Sequence, residues 1–512
     1  MTTRPVVGQV RAGVLLARPG SAVRHNVDLV IAGDRIEAVN PAAAEGLSDP
    51  RTAGVSLVMP ALADAHDHGR GLPTMAYGAA DQALETWLPA LSQHPSIDPS
   101  LLTSLALAKL ARSGVGSVVH CHNVQRADAL VEEGVSAARA ALQIGVRMAL
   151  AVPLADRHRL GYGPDDAVLA CVDPVQRAAV VARWGATARP IAEQLEQVDA
   201  VARAIAELGP DAGLVPVQYC PVGPQWCSDE LLEAVAEASV VTGRRVHTHL
   251  FETRYQREWA DATFAGGLVR HLDAIGLLSD RLTVAHGVWL DENDAEILAD
   301  RGVTVSINTS SNLRLRSGRA AVTTLLRAGV KVAFGMDGMS LDDDEDALRE
   351  LQLSMLLHAG IGLDAELDAA TVLGASMTNG PATVSGPDSW GVIAPGAPAD
   401  FVVLDRSRLI TDIANPGAID ESTLVLTRAR AQHVTDLVVA GRWVVRDRVV
   451  IGVDEAAIAA EVAAQCRAAG PSIAALAPAV EAFQAGLRAF YTEGHHRSVR
   501  PIDPGTRLIH AR

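Results

Sequence analysis

Between about residues 58 and 385, short apolar runs alternate with longer Ala- and Leu-rich stretches whose apolar positions recur at helical spacing. The runs at 57–65, 116–122, 146–153, 214–220, 245–249, 282–286, 303–307 and 330–335 predict eight strands. The stretches at 100–113, 230–242 and 291–301 predict helices between them. Eight strands alternating with helices fit an α/β fold of the (β/α)8 TIM-barrel type, with insertions. A doubly wound open sheet is the rival. No glycine-rich phosphate loop follows the first strand, which lowers that option.

The pattern differs at the ends. Residues 6–16, 27–31 and 35–39 read as short strands, with Gly33-Asp34 as a turn. The same texture returns at 399–404, 436–441 and 443–451. These segments predict one small β-sandwich domain assembled from 1–57 and 386–452, flanking a barrel at 58–385. An Ala-rich helical stretch from 454 to about 491 predicts a C-terminal helical extension over 453–512. His495 and His496 near its end read as a solvated terminus.

Composition narrows the function classes. A chain of 512 residues with 49% hydrophobic content can bury a large core. The formal net charge of −16 argues against nucleic acid as a partner. No apolar run is long enough for a membrane span, and the N-terminus lacks a signal-peptide core. The five cysteines are scattered and form no CxxC, as expected of reduced thiols in a cytoplasmic protein. Only two lysines occur, Lys109 and Lys331.

Candidate chemistry concentrates at the ends of the predicted strands, where barrels carry their active sites. The first apolar run ends in His66-Asp-His68. Residues i and i+2 of a strand share a face, so the two imidazoles can present two nitrogen ligands to one metal ion. The fifth strand ends in His247-Thr-His249, with Glu252 three residues on. The sixth ends at His286 and the eighth at Asp337. Each is unremarkable alone, because a buried histidine is often a hydrogen-bonded core residue and Asp-Gly is a common turn. Four in this order favour a site.

The motifs PALADAHDH, HTHLFET, VAHGVWL, NTSSNLRLRSG and GMDG resemble those of the amidohydrolase superfamily. Within it they are similar to the aminohydrolase branch that includes deaminases of guanine, 8-oxoguanine, methylthioadenosine and S-adenosylhomocysteine, and the triazine hydrolases. The resemblance implies metal ligation by His66, His68, His249 and Asp337. It implies a proton-shuttling role for Glu252 and an orienting role for His286 toward substrate or water. His247 receives no ligand role from it. Three imidazoles and a carboxylate suit Zn²⁺ first and Fe²⁺ second. Such an ion lowers the pKa of bound water from about 15.7 toward 7, providing hydroxide to attack an electrophilic ring carbon. Some relatives bridge two metals with a lysine on the fourth strand. Residues 214–223 contain neither lysine nor glutamate, so one divalent ion per chain is expected.

The chain departs from the branch at Cys220-Pro-Val222-Gly, where Val222 replaces a substrate-contacting histidine of the adenosine-type enzymes. Gln225 and Trp226 are candidate substrate contacts beside it, as are Trp87 in Glu85-Thr-Trp87-Leu and Asn312 in the Ser-Asn pair. The charged stretch Asp156-Arg-His-Arg159 reads as a solvated loop, and Arg314 and Arg316 as surface pairs. The acidic run 342–346 reads as a helix start. The expected function is deamination of a small aminated heterocycle of purine, pyrimidine or triazine type, releasing ammonia. Hydrolysis of an amide, ring C–N or C–Cl bond is the alternative, and a non-catalytic assembly protein a third. The family resemblance further implies a small-molecule substrate and a homodimer or larger homo-oligomer.

Overall fold

The computed structural model describes residues 4–41, 55–185 and 187–497. Parts of the expected terminal segments, at 42–54 and beyond 497, lie outside the described residues. Among the described residues, strands β1 (Gln9–Leu15), β2 (Arg24–Ala32), β3 (Arg35–Pro41) and β4 (Ser56–Pro60) precede the barrel. Its strands are β5 (Leu62–Asp67), β6 (Val115–Cys121), β7 (Arg147–Leu154), β8 (Val217–Pro221), β9 (Val246–Leu250), β10 (Leu282–His286), β11 (Thr304–Ile307) and β12 (Lys331–Phe334). Strands β13 (Phe401–Asp405), β14 (Val434–Val439), β15 (Arg442–Arg446) and β16 (Val449–Val450) follow.

Strands β5 to β12 form one parallel sheet in sequence order, with helices between them, as a (β/α)8 barrel requires. The circle is drawn shut just past the end of β12, where the Met336 and Asp337 N–H groups both donate to the His66 carbonyl, at 3.2 and 2.8 Å. Gly335 makes that approach possible. A Cβ there would stand 2.7 Å from the His66 nitrogen and 2.6 Å from Asn308 Oδ1. The outer helices start on local signals. Asp98, Ser228 and Asp291 each cap a helix by accepting from its first turn, and Asp291 and Asp294 form a reciprocal capping box. Asp346 caps Ala347–His358, so the acidic run does lead into a helix.

The second sheet joins both ends of the chain in the order β16-β15-β14-β13-β4-β1-β2-β3. It curls on itself: the Val7 N–H, ahead of β1, donates to Gly441 O in the β14–β15 turn at 2.9 Å, and Arg35 of β3 bridges to Pro398 ahead of β13. Period-two alternation splits its apolar residues between two cores. Leu29, Val58, Phe401, Val403 and Val438 fill the space inside the curl, while Leu57, Met59, Val402, Leu437 and Val439 face the barrel.

The expected strand at 57–65 is two strands. Its first half, β4, pairs with β1 and β13 in the curled sheet, and its second half, β5, pairs with β6 in the barrel. Ala61 is the switch, its N–H donating to Asp400 O at 3.1 Å. Both halves are buried throughout, so no break in hydropathy marks the change of partner.

The C-terminal extension forms helices Glu455–Ala468 and Gly470–Thr492 and a turn, His495–Arg497. It lies across the mouth of the barrel, against helices Leu84–Leu91, Asp165–Ala170, Arg177–Trp184 and Arg254–Thr263. The expected solvated histidine pair is corrected here. His496 is buried, its Nε2 2.8 Å from Glu258 Oε2 and its ring against Tyr255 and Tyr491, while His495 is half-buried. Among the described residues, no helix is long and apolar enough to cross a membrane.

Candidate active site

The barrel brings His66, His68, His247, His249, Glu252, His286 and Asp337 together at the C-terminal ends of β5, β9, β10 and β12. The ligand-type atoms of His66, His68 and His249 lie within 4.8 Å of one another, as do those of His66, His286 and Asp337. Second partners set the tautomers. His68 Nδ1 donates to Cys121 O at 2.9 Å and His249 Nδ1 to Val222 O at 2.6 Å, leaving each Nε2 with a free lone pair. His66 Nδ1 lies 2.9 Å from Nε2 of His247, whose ring stacks parallel at 5.0 Å. His247 thus steadies a neighbour.

Asp337 Oδ1 stands 3.1 Å from His68 Nε2 and 3.4 Å from His66 Nε2. Buried lone pairs therefore converge on one point, and His66 Nε2 has no hydrogen-bond partner. Acceptors arranged this way need a cation between them, and the donor set is one that Zn²⁺ or Fe²⁺ takes. Burial drives the His66 and His249 imidazoles well below their ordinary pKa, so both are neutral near pH 7. Burial pushes the Asp337 carboxyl up, but the adjoining His66 and His68 imidazoles and the charge of Arg70 hold it well below the carboxylate range. Ser311 Oγ donates to its Oδ2 at 2.5 Å, and Arg70 donates to its backbone carbonyl. Two of these residues sit in left-handed backbone, His286 at φ +74° and Asp337 at φ +59°. Such strain is held only where surrounding contacts over-determine it.

Glu252 is buried beside them, with Oε2 3.7 Å from His286 Nε2 and Oε1 without a partner. Burial, reinforced by the charges of Asp337 and Glu85, raises its carboxyl well above the ordinary range. It keeps its proton near neutrality. His286 Nδ1 lies 2.9 Å from Asn312 Oδ1, which turns Nε2 toward Glu252.

A cavity of about 860 Å³ opens over His68 and His249. Of the four expected substrate contacts, Trp226 lines it and Trp87, Gln225 and Asn312 do not. Trp87 is buried under Arg70, whose guanidinium sits 5.3 Å from its ring centre. Gln225 accepts from Gln256 at 2.6 Å, and Gln256 accepts from the Glu252 N–H at 2.8 Å. Asn312 serves His286. Arg314 pairs with Asp81 and Asp343, as a surface reading expects.

The loop at 156–159 is corrected: Arg157 and Arg159 line the cavity. With Arg70, Arg183 and Arg189 they give it five arginines, and among the described residues no Asp or Glu lines it. Arginines scattered along a chain carry no spacing code, so they were not legible. His120 and His122 also line it, with His120 Nε2 3.3 Å from His122 Nδ1 and His122 Nε2 3.4 Å from Glu133 Oε2. The i, i+2 spacing that singles out His66 and His68 would have found this pair.

The model of the amidohydrolase family matches residues 57–444. The chain belongs to the amidohydrolase family. Amidohydrolases are metal-dependent hydrolases of carbon–nitrogen bonds, and the convergent donors fit that chemistry. This amidohydrolase is 34% identical over 243 residues to a 5'-deoxyadenosine deaminase of Methanopyrus kandleri, a match spanning 48% of this chain and 56% of that protein. It is 29% identical over 464 residues to a 5-methylthioadenosine/S-adenosylhomocysteine deaminase of Pelotomaculum thermopropionicum, spanning 88% and 95%. Among solved structures, an adenosine deaminase of Xanthomonas campestris with bound zinc superposes with a TM-score of 0.73 at 26% identity, covering 92% of this chain and 99% of that one.

Proposed function

We propose that this amidohydrolase is a single-cation deaminase of an aminated heterocycle that carries an anionic substituent. The observation that carries the reading is the convergence of three imidazoles, His66 and His249 among them held neutral by burial, and an ionised carboxylate beside a protonated, buried glutamate. His66, His68, His249 and Asp337 would hold the cation, zinc before iron, which supplies a water that ionises near neutral pH. Strand β8 offers no lysine or carboxylate for a second ion, and Lys109 and Lys331 stand on other elements.

The chain's own groups then divide the proton transfers. Ionised Asp337 accepts a proton from the attacking water. Glu252 donates its proton to the ring nitrogen next to the carbon under attack. His286, held by Asn312, orients the attack through Nε2. Oxygen bonds to carbon, the carbon–nitrogen bond breaks, the amino group leaves as ammonia with the proton Asp337 took up, and the new hydroxyl gives its proton back to Glu252 as the carbonyl forms. A buried proton donor for a ring nitrogen is what attack on a ring carbon needs, which favours an aminated heterocycle over an open-chain amide. The names of the two relatives support the same choice. The five arginines that line the cavity support an anionic substituent.

Metal analysis of purified protein, with ammonia release from aminopurines, aminopyrimidines and triazines with and without a carboxylate or phosphate, tests this. One metal per chain and faster release from the anionic members are expected. Ammonia from none of them would turn the assignment to amides and halogenated rings, and two metals per chain would refute the single-cation site.

A further inference from the structure

The C-terminal helices touch the barrel mouth where the cavity wall is least supported. Helix Arg177–Trp184 buries only Val180, yet it carries Arg183 and Trp184 into the cavity lining. The Trp184 ring packs 4.9 Å from that of Phe483, a buried residue of helix Gly470–Thr492. One turn along, Gly486 fits so closely that a Cβ would stand 2.6 Å from Val172 Cγ2 and 3.2 Å from Cys171 O. A turn further, Tyr491 Oη accepts from the buried Tyr162 N–H at 3.1 Å. The Tyr162 ring stands edge-on to Trp226, on the cavity wall, at 5.6 Å. Gln484 Nε2 donates to Thr86 O at 2.8 Å, next to the tryptophan under Arg70. One helix thus reaches both tryptophans of the cavity wall through Phe483 and Tyr491.

We propose that helix Gly470–Thr492 is a specificity element, with Phe483 and Tyr491 as positioning residues that hold Trp184 and Trp226 at the separation the substrate's ring requires. This rests on the reading of the cavity as the substrate site. Neither residue touches the ligand cluster, so their loss changes substrate fit and leaves the proton-transfer groups in place.

The test uses the full chain with Phe483→Ala, Phe483→Tyr, Tyr491→Phe and Gly486→Ala. Removing the ring contact, the hydroxyl acceptor or the close approach raises KM by about threefold to thirtyfold, with kcat within about twofold and metal content unchanged. Phe483→Tyr keeps the ring and restores KM. A second readout needs no turnover: trypsin cleaves after Arg183 and Arg189 faster in Phe483→Ala and Gly486→Ala than in the parent or in Phe483→Tyr. Unchanged KM overturns the proposal, as does a joint fall in kcat and metal content, which would mark general unfolding. Unchanged cleavage rates overturn it independently. Failure of the parent enzyme to release ammonia would instead count against the deaminase reading, with the cleavage experiment still deciding the role of the helix.

Discussion

Glu252 does its work by being uncharged. Its environment removes water and adds neighbouring negative charge, so the side chain enters the reaction already carrying the proton it must give. Glu252→Gln keeps the shape and removes the transferable proton. It should lower kcat by about 10²–10⁴-fold, with metal content by mass spectrometry matching the parent. A second buried carboxyl reports on stability. Burial raises Glu350 from an ordinary 4.5 to about 7, although Ser310 donates to it twice. The folded protein therefore holds this proton more tightly than the unfolded chain, and Glu350's stabilising contribution, full below pH 4.5, is lost as pH rises toward about 7. Urea midpoints across that window should fall less steeply with pH in Glu350→Gln than in the parent. The two residues differ in legibility. Glu252 stands three positions from His249 in a motif, whereas Glu350 sits mid-helix with no local mark, its environment set by Ser310 across the fold.

At the scale of the element, the strands were legible because a parallel strand buried on both faces writes a short apolar run, and the helices around them write a different period. The segment 282–286 matches β10 end for end. The run at 57–65 shows where this reading stops. Hydropathy reports burial, and it does not report which sheet does the burying. Whether His66 and His68 share a face was legible, because it depends only on local period. That Arg70 covers Trp87 while reaching Asp337 was not, because Asp337 comes from the opposite end of the barrel sequence. Closure of the barrel offers an element-scale test. Gly335→Ala would place a methyl against the His66 backbone and Asn308, costing about 1–3 kcal/mol. Tm should fall and metal affinity should weaken together, since the carbonyl displaced belongs to a candidate ligand. A fall in Tm with metal affinity untouched would separate barrel closure from the site.

For the whole molecule, the cation would be part of the folded state. Buried acceptors facing one another repel until a positive charge lies between them, so chelation should destabilise the protein well beyond the loss of one contact. Saturating zinc at about a thousandfold excess over Kd should raise stability by about 4 kcal/mol. Calorimetry with and without chelator reads the difference, and an unchanged Tm would count against a buried cation. The stretch from 455 to 492 was legible as helical but not as a wall of the mouth. Helix Glu455–Ala468 buries only Val462 and Cys466, and so small an apolar face does not announce its partner.

The curled sheet sets a timetable for synthesis. Strands β1 to β4 leave the ribosome before the barrel, but β4 finds its antiparallel neighbour β13 only about 340 residues later. Until then its edge is bare on a chain whose barrel is still growing, an invitation to pairing with other nascent chains. Translation of the last strands, rather than of the barrel, becomes the moment at which Ala61 and the histidines beyond it acquire their final bearing. Chaperones that shield exposed strand edges should therefore influence the yield of this protein most between the emergence of β4 and that of β13.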